Sequence, residues 1–324
     1  MHTDQKKSYI GLTLNADQFS MVEASGNQIR NIVSRELIQP FDLASLQSEE
    51  EGLDSYIEVI GQLYRRLNTS CRKVGVVINS GMVIVKKVPI ALGLDDEMIT
   101  EQMKWEMDQM IIASPDQYTI EFERLPDQMP SGNPTYLMVL VQKKILKMIQ
   151  SIIQRAGLNL INMDVDIFAN IRSLLTNYKV DKEEISLLVD SHESYIDLLF
   201  IRQQDYFLSH RILFQGIKSD SGILTGAEIV KYLMKEIRRL VFGHQLGRNV
   251  EDINRIFLLG GKLAQKISET LPSEISVPVE IVNPFRKINV SPSVTESKEC
   301  IQFPHRFMPS IGLLLKSIPS LVKA

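Results

Sequence analysis

The stretch "SYIGLTLNADQFSMVEASGNQ", Ser8 to Gln28, decides how this chain is read. Ile10, Leu12 and Leu14 alternate with small or polar residues, "NADQ" turns, and Phe19, Met21 and Glu23 carry the alternation back. A period of two on both sides of a short polar turn predicts a β-hairpin running from Ile10 to Val33. A second stretch, "ISLLVDSHESYIDLLFIRQQDYFLSHRIL" from Ile185, repeats the plan: apolar run, polar turn, alternating strand, another turn, third strand. Laying Thr13 on Asp190 brings "NADQ" and "HESY" into register and sets Asn15 against His192. Identity between the two stretches is low, so the pattern predicts a duplication of supersecondary structure.

Between the two copies the chain carries a helix at about Asp54 to Leu67 and a buried strand, "KVGVVIN", Lys73 to Asn79. From Met82 to Ala156 the order is strand, helix, strand, strand, helix, a unit that looks inserted. Acids open its first helix, "LDDEMITEQMKWEMDQMI", where they suit the positive end of the helix dipole. "PDQMPSGNP" turns between its later strands, and its closing helix buries Ile145, Ile149 and Ile152 and stops at Gly157. "LNLINMDVD" then leads into a helix ending near Tyr178. Beyond the second copy come an amphipathic helix, Thr225 to Phe242, and the strand, glycine pair and helix of "RIFLLGGKLAQKI". "RKINVSPSVTESKEC" is polar and irregular and reads as a loop, and "IGLLLKSI" as a closing helix.

Bulk properties narrow the function. The 324 residues are 44% hydrophobic and 23% charged, enough for about two domains with sizeable cores. A formal charge of -3 offers no basic field for nucleic acid. Cys71 and Cys300 stand far apart, with neither disulfide-framework nor zinc spacing, which fits a reducing cytosol. "MHTDQKK" lacks the apolar centre of an export signal. No apolar run reaches the roughly 20 residues that span a bilayer, so any membrane association is expected to be peripheral or through a partner.

Enzyme templates find little support. The five histidines, His2, His192, His210, His244 and His305, show no metal-protease spacing, and neither a G-x-S-x-G elbow nor a Walker loop is present. What remains is the duplicated hairpin and the late pair Gly260 and Gly261. Two similar halves, each offering a turn to phosphates, can clamp a nucleotide if their turn residues are small enough for backbone amides to approach. Glycine at a strand-to-helix turn is ordinary structure as well.

The order of parts resembles the actin-like ATPase superfamily and, within it, the FtsA and PilM branch. Stretches similar to PilM-type type IV pilus assembly proteins include "VPIALGLDDEMITEQMKWEMDQMI", "RAGLNLINMDVDIFANIRSLL", "IFLLGGKLA", "VEIVNPFRKI" and "SIGLLLKSI". The resemblance implies an α/β, actin-like (ribonuclease H-like) duplicated fold with an FtsA-type inserted β-α-β-β-α subdomain. It places residues 1–80 and 158–184 in a first actin-like subdomain and 81–157 in the insert. Residues 185–324 form a second domain with a smaller helical and sheet subdomain near 220–285.

The departures from the family pattern concern phosphate. Nucleotide-binding relatives read roughly G-x-D-x-G-S-S-S-x-K in the first hairpin. Here Gly11 is followed by Thr13 for the acid, Asn15 for the glycine, Ala16, Asp17 and Gln18 for the hydroxyl run, and Ser20 for the lysine. In the second hairpin Asp190 survives, but His192 stands in the glycine slot and Glu193 follows. A degenerate nucleotide site is therefore expected at Gly11, Thr13, Asn15, Asp190, His192, Gly260, Gly261 and Gly312, with Asp17 set to repel phosphate. ATP or ADP with Mg2+ is the cofactor that the family would supply there, and weak or absent hydrolysis is the expectation.

The resemblance further implies a cytoplasmic scaffold that reaches the inner membrane by holding the N-terminal tail of a PilN-like protein between the first subdomain and the insert. Asn79, Met82, Asp164 and Asp166 are the candidate contacts there. Pilus or secretion motor components and a second copy are further candidate partners; an active ATPase, a nucleotide-gated switch or a kinase of the superfamily is the competing reading. On the inserted helix, Ile99, Met103, Met107 and Met110 make one stripe, whereas Trp105 aligns with Met98 and Ile112. The plainer expectation is that strands and a loop bury both sides; the sharper one gives the Trp105 side to a partner.

Overall fold

Two five-stranded sheets of the same strand order carry the chain, which a computed structural model describes over residues 8–47, 53–111, 114–126, 132–214 and 225–323. Strands β1 (Ser8–Leu14), β2 (Gln18–Ser25) and β3 (Gln28–Glu36) form an antiparallel meander. Helices α1 (Leu43–Gln47) and α2 (Asp54–Leu67) lead to β4 (Lys73–Ile78), parallel to β1. The chain then departs through β5 (Val83–Pro89), α3 (Asp96–Asp108), β6 (Tyr118–Arg124), β7 (Thr135–Gln142) and α4 (Lys143–Arg155). It returns as β8 (Asn159–Val165), parallel to β4, and α5 (Asp166–Asn177). The departing segment thus lies between two adjacent strands of the first sheet and pairs its own strands in the order β5-β7-β6.

The second half begins with β9 (Ile185–Ser191), β10 (Tyr195–Arg202) and β11 (Asp205–Leu213), followed by α6 (Gly226–Gly243), β12 (Arg255–Gly260), α7 (Lys262–Thr270) and β13 (Val279–Ile281). Short helices α8 (Pro292–Thr295) and α9 (Lys298–Gln302) precede α10 (Met308–Ser317). The sheet orders are β3-β2-β1-β4-β8 and β11-β10-β9-β12-β13. The duplication extends to single hydrogen bonds. Asn15 N donates to Gln18 O at 3.1 Å and His192 N to Tyr195 O at 2.9 Å; Leu37 N donates to Asp17 O and Phe214 N to Ser194 O. Register breaks after Glu23 in β2 and after Phe200 in β10. The differences 192 − 15, 200 − 23 and 214 − 37 all equal 177, the offset between Thr13 and Asp190.

Local chemistry explains the elements that frame the site. Tyr56, Ile60, Leu63 and Leu67 repeat at three- and four-residue steps and bury one side of α2, which ends where Asn68 takes a left-handed φ of 52°. Thr225 and Glu228 form a capping box on α6. Residues Met308 to Leu315 are all buried because α10 crosses β1 and packs on α5. The insert has a small core of its own, in which Ile99, Met103 and Met107 of α3 face Met138 and Leu140 of β7.

Four expectations need correction. Within 220–285 the described residues build no separate core: α6, α7, β12 and β9 share one cluster. The C-terminal elements return to the first sheet, where Phe285, Val294, Phe307 and Ile311 pack with Val22 and Ile29, so they do not complete the second domain. The segment read as a loop contains α8 and α9, since Pro292 suits a first helical turn and Ser297 Oγ accepts from Cys300 N at 3.2 Å. Trp105 and Met98 are not buried but 58% and 52% exposed, because the insert's three strands cover only the opposite side of α3; Ile112 lies outside the described residues.

Candidate functional site

The two hairpin turns face each other across the junction of the halves, and a histidine fills the space between them. His192 directly follows β9, and its side chain is 2% exposed. Its Nδ1 lies 3.1 Å from Asp17 Oδ1 on the opposing turn. Its Nε2 lies 3.2 Å from Asp190 Oδ1, an ion-pair distance without the alignment of a hydrogen bond. Tyr195 stacks on the ring at 4.4 Å and 28°. Burial opposes a charge on this imidazole, but the Asp190 and Asp17 carboxylates outweigh it and hold its pKa well above 6.5. Burial likewise raises Asp17, yet the hydrogen bond and charge of His192 prevail and leave it below 3.8. His192 is thus an imidazolium held between carboxylates from both halves.

A second cation continues the seam. Arg211 of β11 grips Asp197 of β10 through two bonds, Nε to Oδ1 at 2.7 Å and Nη2 to Oδ2 at 2.6 Å. Its guanidinium lies 3.9 Å from the Tyr195 ring centroid, and Nη2 also donates to Asn79 Oδ1 at 2.6 Å. Asn79 Nδ2 donates to the Tyr195 hydroxyl at 3.2 Å. Asp166, at the start of α5, accepts from Ser80 N at 3.0 Å and Ile167 N at 2.6 Å. Burial first, then the charges of Asp197 and Asp190, raise Asp166 to about 7 despite those bonds.

The cavity left beside His192 holds about 110 Å³ and is lined by Asp17, Glu36, Glu193, Arg306 and Gly261 among others. Small-molecule sites are typically about 300–1,000 Å³. Space opposes a nucleoside triphosphate, since the His192 ring already occupies the centre, and the carboxylates of Asp17, Glu36 and Glu193 offset the positive charge of His192 and Arg306. Phosphate chemistry therefore does not fit the residues present. Asn15, His192, Asp190 and Gly261 do gather at this junction.

The other expected nucleotide positions are placed by packing. Thr13 Oγ1 shares a 2.6 Å hydrogen bond with Ser310 Oγ of α10. A Cβ at Gly11 would crowd the Ser310 carbonyl, and one at Gly312 would overlap the Ala169 carbonyl of α5, so these glycines let α10 lie flat. Gly260 has φ 116°, and a Cβ there would overlap Ser191, which explains the first glycine of the pair by close strand approach; a Cβ at Gly261 would meet nothing. Arg211, Tyr195 and Asp197 escaped the sequence reading. The 177-residue offset sets Asp197 against Ser20, and that exchange of hydroxyl for carboxylate was the available signal.

A larger opening of about 740 Å³ lies between the first sheet and the insert. Its floor is apolar, with Ile78, Val139, Val141, Met163, Phe168 and Leu175; Thr119, Glu121 and Glu123 of β6 form one wall, and Asp205 and Lys316 lie at its edge. β6 and β8 are each the outer strand of their sheet, so unpaired backbone faces outward beside the groove. Asp164 lines it, ion-paired with Arg172 at 3.0 Å, and Arg172 also donates to Gly312 O at 2.7 Å. The other candidate partner residues fall elsewhere. Asn79 and Asp166 belong to the seam between the halves, Met82 is buried in the core, and Trp105 stands on the outer side of α3.

Comparison with known proteins agrees with this architecture. A PilM-PilN type IV pilus biogenesis complex superposes with a TM-score of 0.77 at 18% identity, covering 96% of this chain and 98% of that one. The cytoplasmic domain of EpsL, an inner membrane component of the type II secretion system of Vibrio cholerae, gives 0.50 at 11% identity, covering 95% of each. A Bacteroides thetaiotaomicron protein described as having an actin-like ATPase fold gives 0.48 at 13%, covering 88% of this chain and 95% of that one. No curated protein sequence matches. The fold is the duplicated, actin-like α/β fold. The family described as type IV pilus assembly protein PilM matches residues 11–225, more than half of the chain, and the chain belongs to that family.

Proposed function

We propose that this protein is a nucleotide-independent scaffold of a type IV pilus or related secretion machine. It holds the N-terminal tail of a PilN-like inner-membrane protein in the groove beside the insert and links it to cytoplasmic components. The observation that carries this reading is the contrast between the two openings: the cleft between the halves is filled by His192, whereas the groove is open, apolar-floored and flanked by free strand edges. The groove's dimensions and unpaired backbone suit an extended peptide, with main-chain bonds for affinity and alternate side chains entering the floor. The superposed structure is named as a complex of PilM with PilN, which supports the choice of tail. No helix among the described residues is long and apolar enough to cross a membrane, so the partner supplies the anchor.

Calorimetric titration tests the proposal, with MgATP and with a synthetic peptide of the candidate partner's first residues. Peptide binding in the absence of nucleotide, unchanged by MgATP and lost in Thr119→Arg, is the expected result. Micromolar MgATP binding that alters peptide affinity would overturn nucleotide independence. Peptide binding untouched by Thr119→Arg would overturn the groove.

A further inference from the structure

In a chain whose formal charge is -3, helix α6 turns a side of purely positive sign to solvent. Ile229, Leu233, Ile237 and Leu240 bury one side of the helix in the core of the second half. On the other side Ala227, Lys231, Lys235, Arg238 and Phe242 follow at steps of four, four, three and four residues, and all five are exposed, Phe242 by 79%. The two acids of the helix are engaged elsewhere: Glu228 completes the capping box with Thr225, and Glu236 pairs with Arg239 at 2.7 Å. Lys231, Lys235 and Arg238 have no ion pair among the described residues. At 1.5 Å per residue the three span about 10 Å of helix, roughly one Debye length in 0.1 M salt, so they act on a charged surface together.

We infer that this side of α6 rests on an anionic lipid surface, with Lys231, Lys235 and Arg238 over the headgroups and Phe242 set among them. Helix sides that only face water ordinarily mix acids with bases, and this one does not. A docked protein would want an apolar centre or a groove. Here the stripe has cations at its centre, with one aromatic at its end, and no α6 residue lines either opening described above. A plane of headgroups asks for neither: it attracts each cation, lets the long stems lie along the interface, and takes an aromatic ring at headgroup depth. The inference deepens the scaffold reading, in which a partner's tail holds the chain beside a membrane. The tail sets the distance, and α6 sets which side of the chain faces the bilayer. Tethering raises the effective concentration of surface, so a contact too weak to recruit the chain alone is enough to orient it.

Flotation of the full chain with lipid vesicles tests this, using ~30% phosphatidylglycerol in phosphatidylcholine against phosphatidylcholine alone, at ~50 mM salt. Binding to the anionic vesicles only, lost at ~500 mM salt, is expected. Lys235→Glu with Arg238→Glu lowers that partition at least ~10-fold. Lys143→Glu with Lys144→Glu makes the same change in net charge on exposed residues of α4 and leaves it within ~2-fold. Phe242→Ser lowers it roughly 3-fold. All the altered residues are exposed, so unchanged thermal melting shows that the fold is intact. Calorimetry with the partner-tail peptide keeps the two readings apart: the α6 variants retain the parent's peptide affinity, and a peptide that binds neither parent nor variant sinks the groove while the vesicle result stands. A chain that ignores anionic vesicles overturns the inference, as do equal partition onto neutral vesicles and partition lost equally in the α4 pair. A chain that ignores vesicles yet binds a polyglutamate peptide through Arg238 overturns it as well and gives the stripe to an acidic protein.

Discussion

The cleft between the halves and the groove beside the insert occupy opposite ends of a range. The cleft is about 110 Å³, lined by charged and polar groups and occupied at its centre by His192; the groove is about 740 Å³, apolar at its floor and flanked by unpaired strand edges. His192 from the second half lies between Asp190 of its own half and Asp17 of the first, so an internal ion pair spans the junction. The difference teaches that one duplicated fold can fill one opening with its own side chain and leave another open, while strand order, and even hydrogen-bond register, is shared by its two halves.

The largest test of this contrast is removal of the internal cation. His192→Ala leaves Asp17 and Asp190 without the cation between them, and breaking a buried ion pair from one side costs about 3–5 kcal/mol. Chemical denaturation of the variant should show a loss of that order, and the purified variant should still fail to bind MgATP because Asp17, Glu36 and Glu193 remain. A variant as stable as the parent would break the comparison.

Blocking the groove should do the reverse. Thr119→Arg places a long cation at the β6 wall, where the native side chain is half-buried. Stability should change by less than about 0.5 kcal/mol, while affinity for the partner-tail peptide falls at least ~10-fold, about 1.4 kcal/mol.

The pH dependence sharpens the same point. The folded pKa of His192 lies above its unfolded value near 6.5, so its contribution is fully present below about 6.5 and is lost as pH rises through the folded pKa. Asp166, raised to about 7 from 3.8, acts in the same direction: stability falls between those values as pH rises. Asp17 works oppositely, with a lowered pKa whose contribution is lost as pH falls through it. Melting temperature measured from pH 5.5 to 9 should therefore decline more steeply in the parent than in His192→Gln, and the parent's advantage should shrink toward alkaline pH. Parallel curves would show that His192 is not charged. The smallest effect is expected from Glu193→Ala, an exposed carboxylate at the rim, which should alter stability by less than about 0.5 kcal/mol.

Much of the architecture was legible because it rests on local periodicity. The period-two runs at Ile10 to Leu14 and in Ile185 to Leu213 became strands, and the helix read at Asp54 to Leu67 has those ends. Alignment of Thr13 with Asp190 proved true to single hydrogen bonds. The bulky or charged residues in the two turns, Asn15, Asp17 and His192, were equally visible in sequence, since they are residue types at given turn positions. Less legible were the partners of charged residues. The family resemblance set Asn79 and Asp166 at the groove, yet Arg211 and Tyr195, over a hundred residues away from Asn79, drew Asn79 into the seam. Trp105 was placed by helix spacing on its own side of α3, but whether anything covered that side depended on elements elsewhere in the chain.

The amino-acid sequence by itself determined the duplication, the inserted unit and the loss of small turn residues, because strand period, helix spacing and turn chemistry act over a few residues. Only the tertiary structure decided that His192 is a cation between two carboxylates rather than a bulky turn residue. It alone also returned the C-terminal helix to the first sheet and opened the groove between β6 and β8. Charge state, burial and cavity volume are set by groups that meet in space from distant parts of the chain, and local pattern carries no record of those meetings.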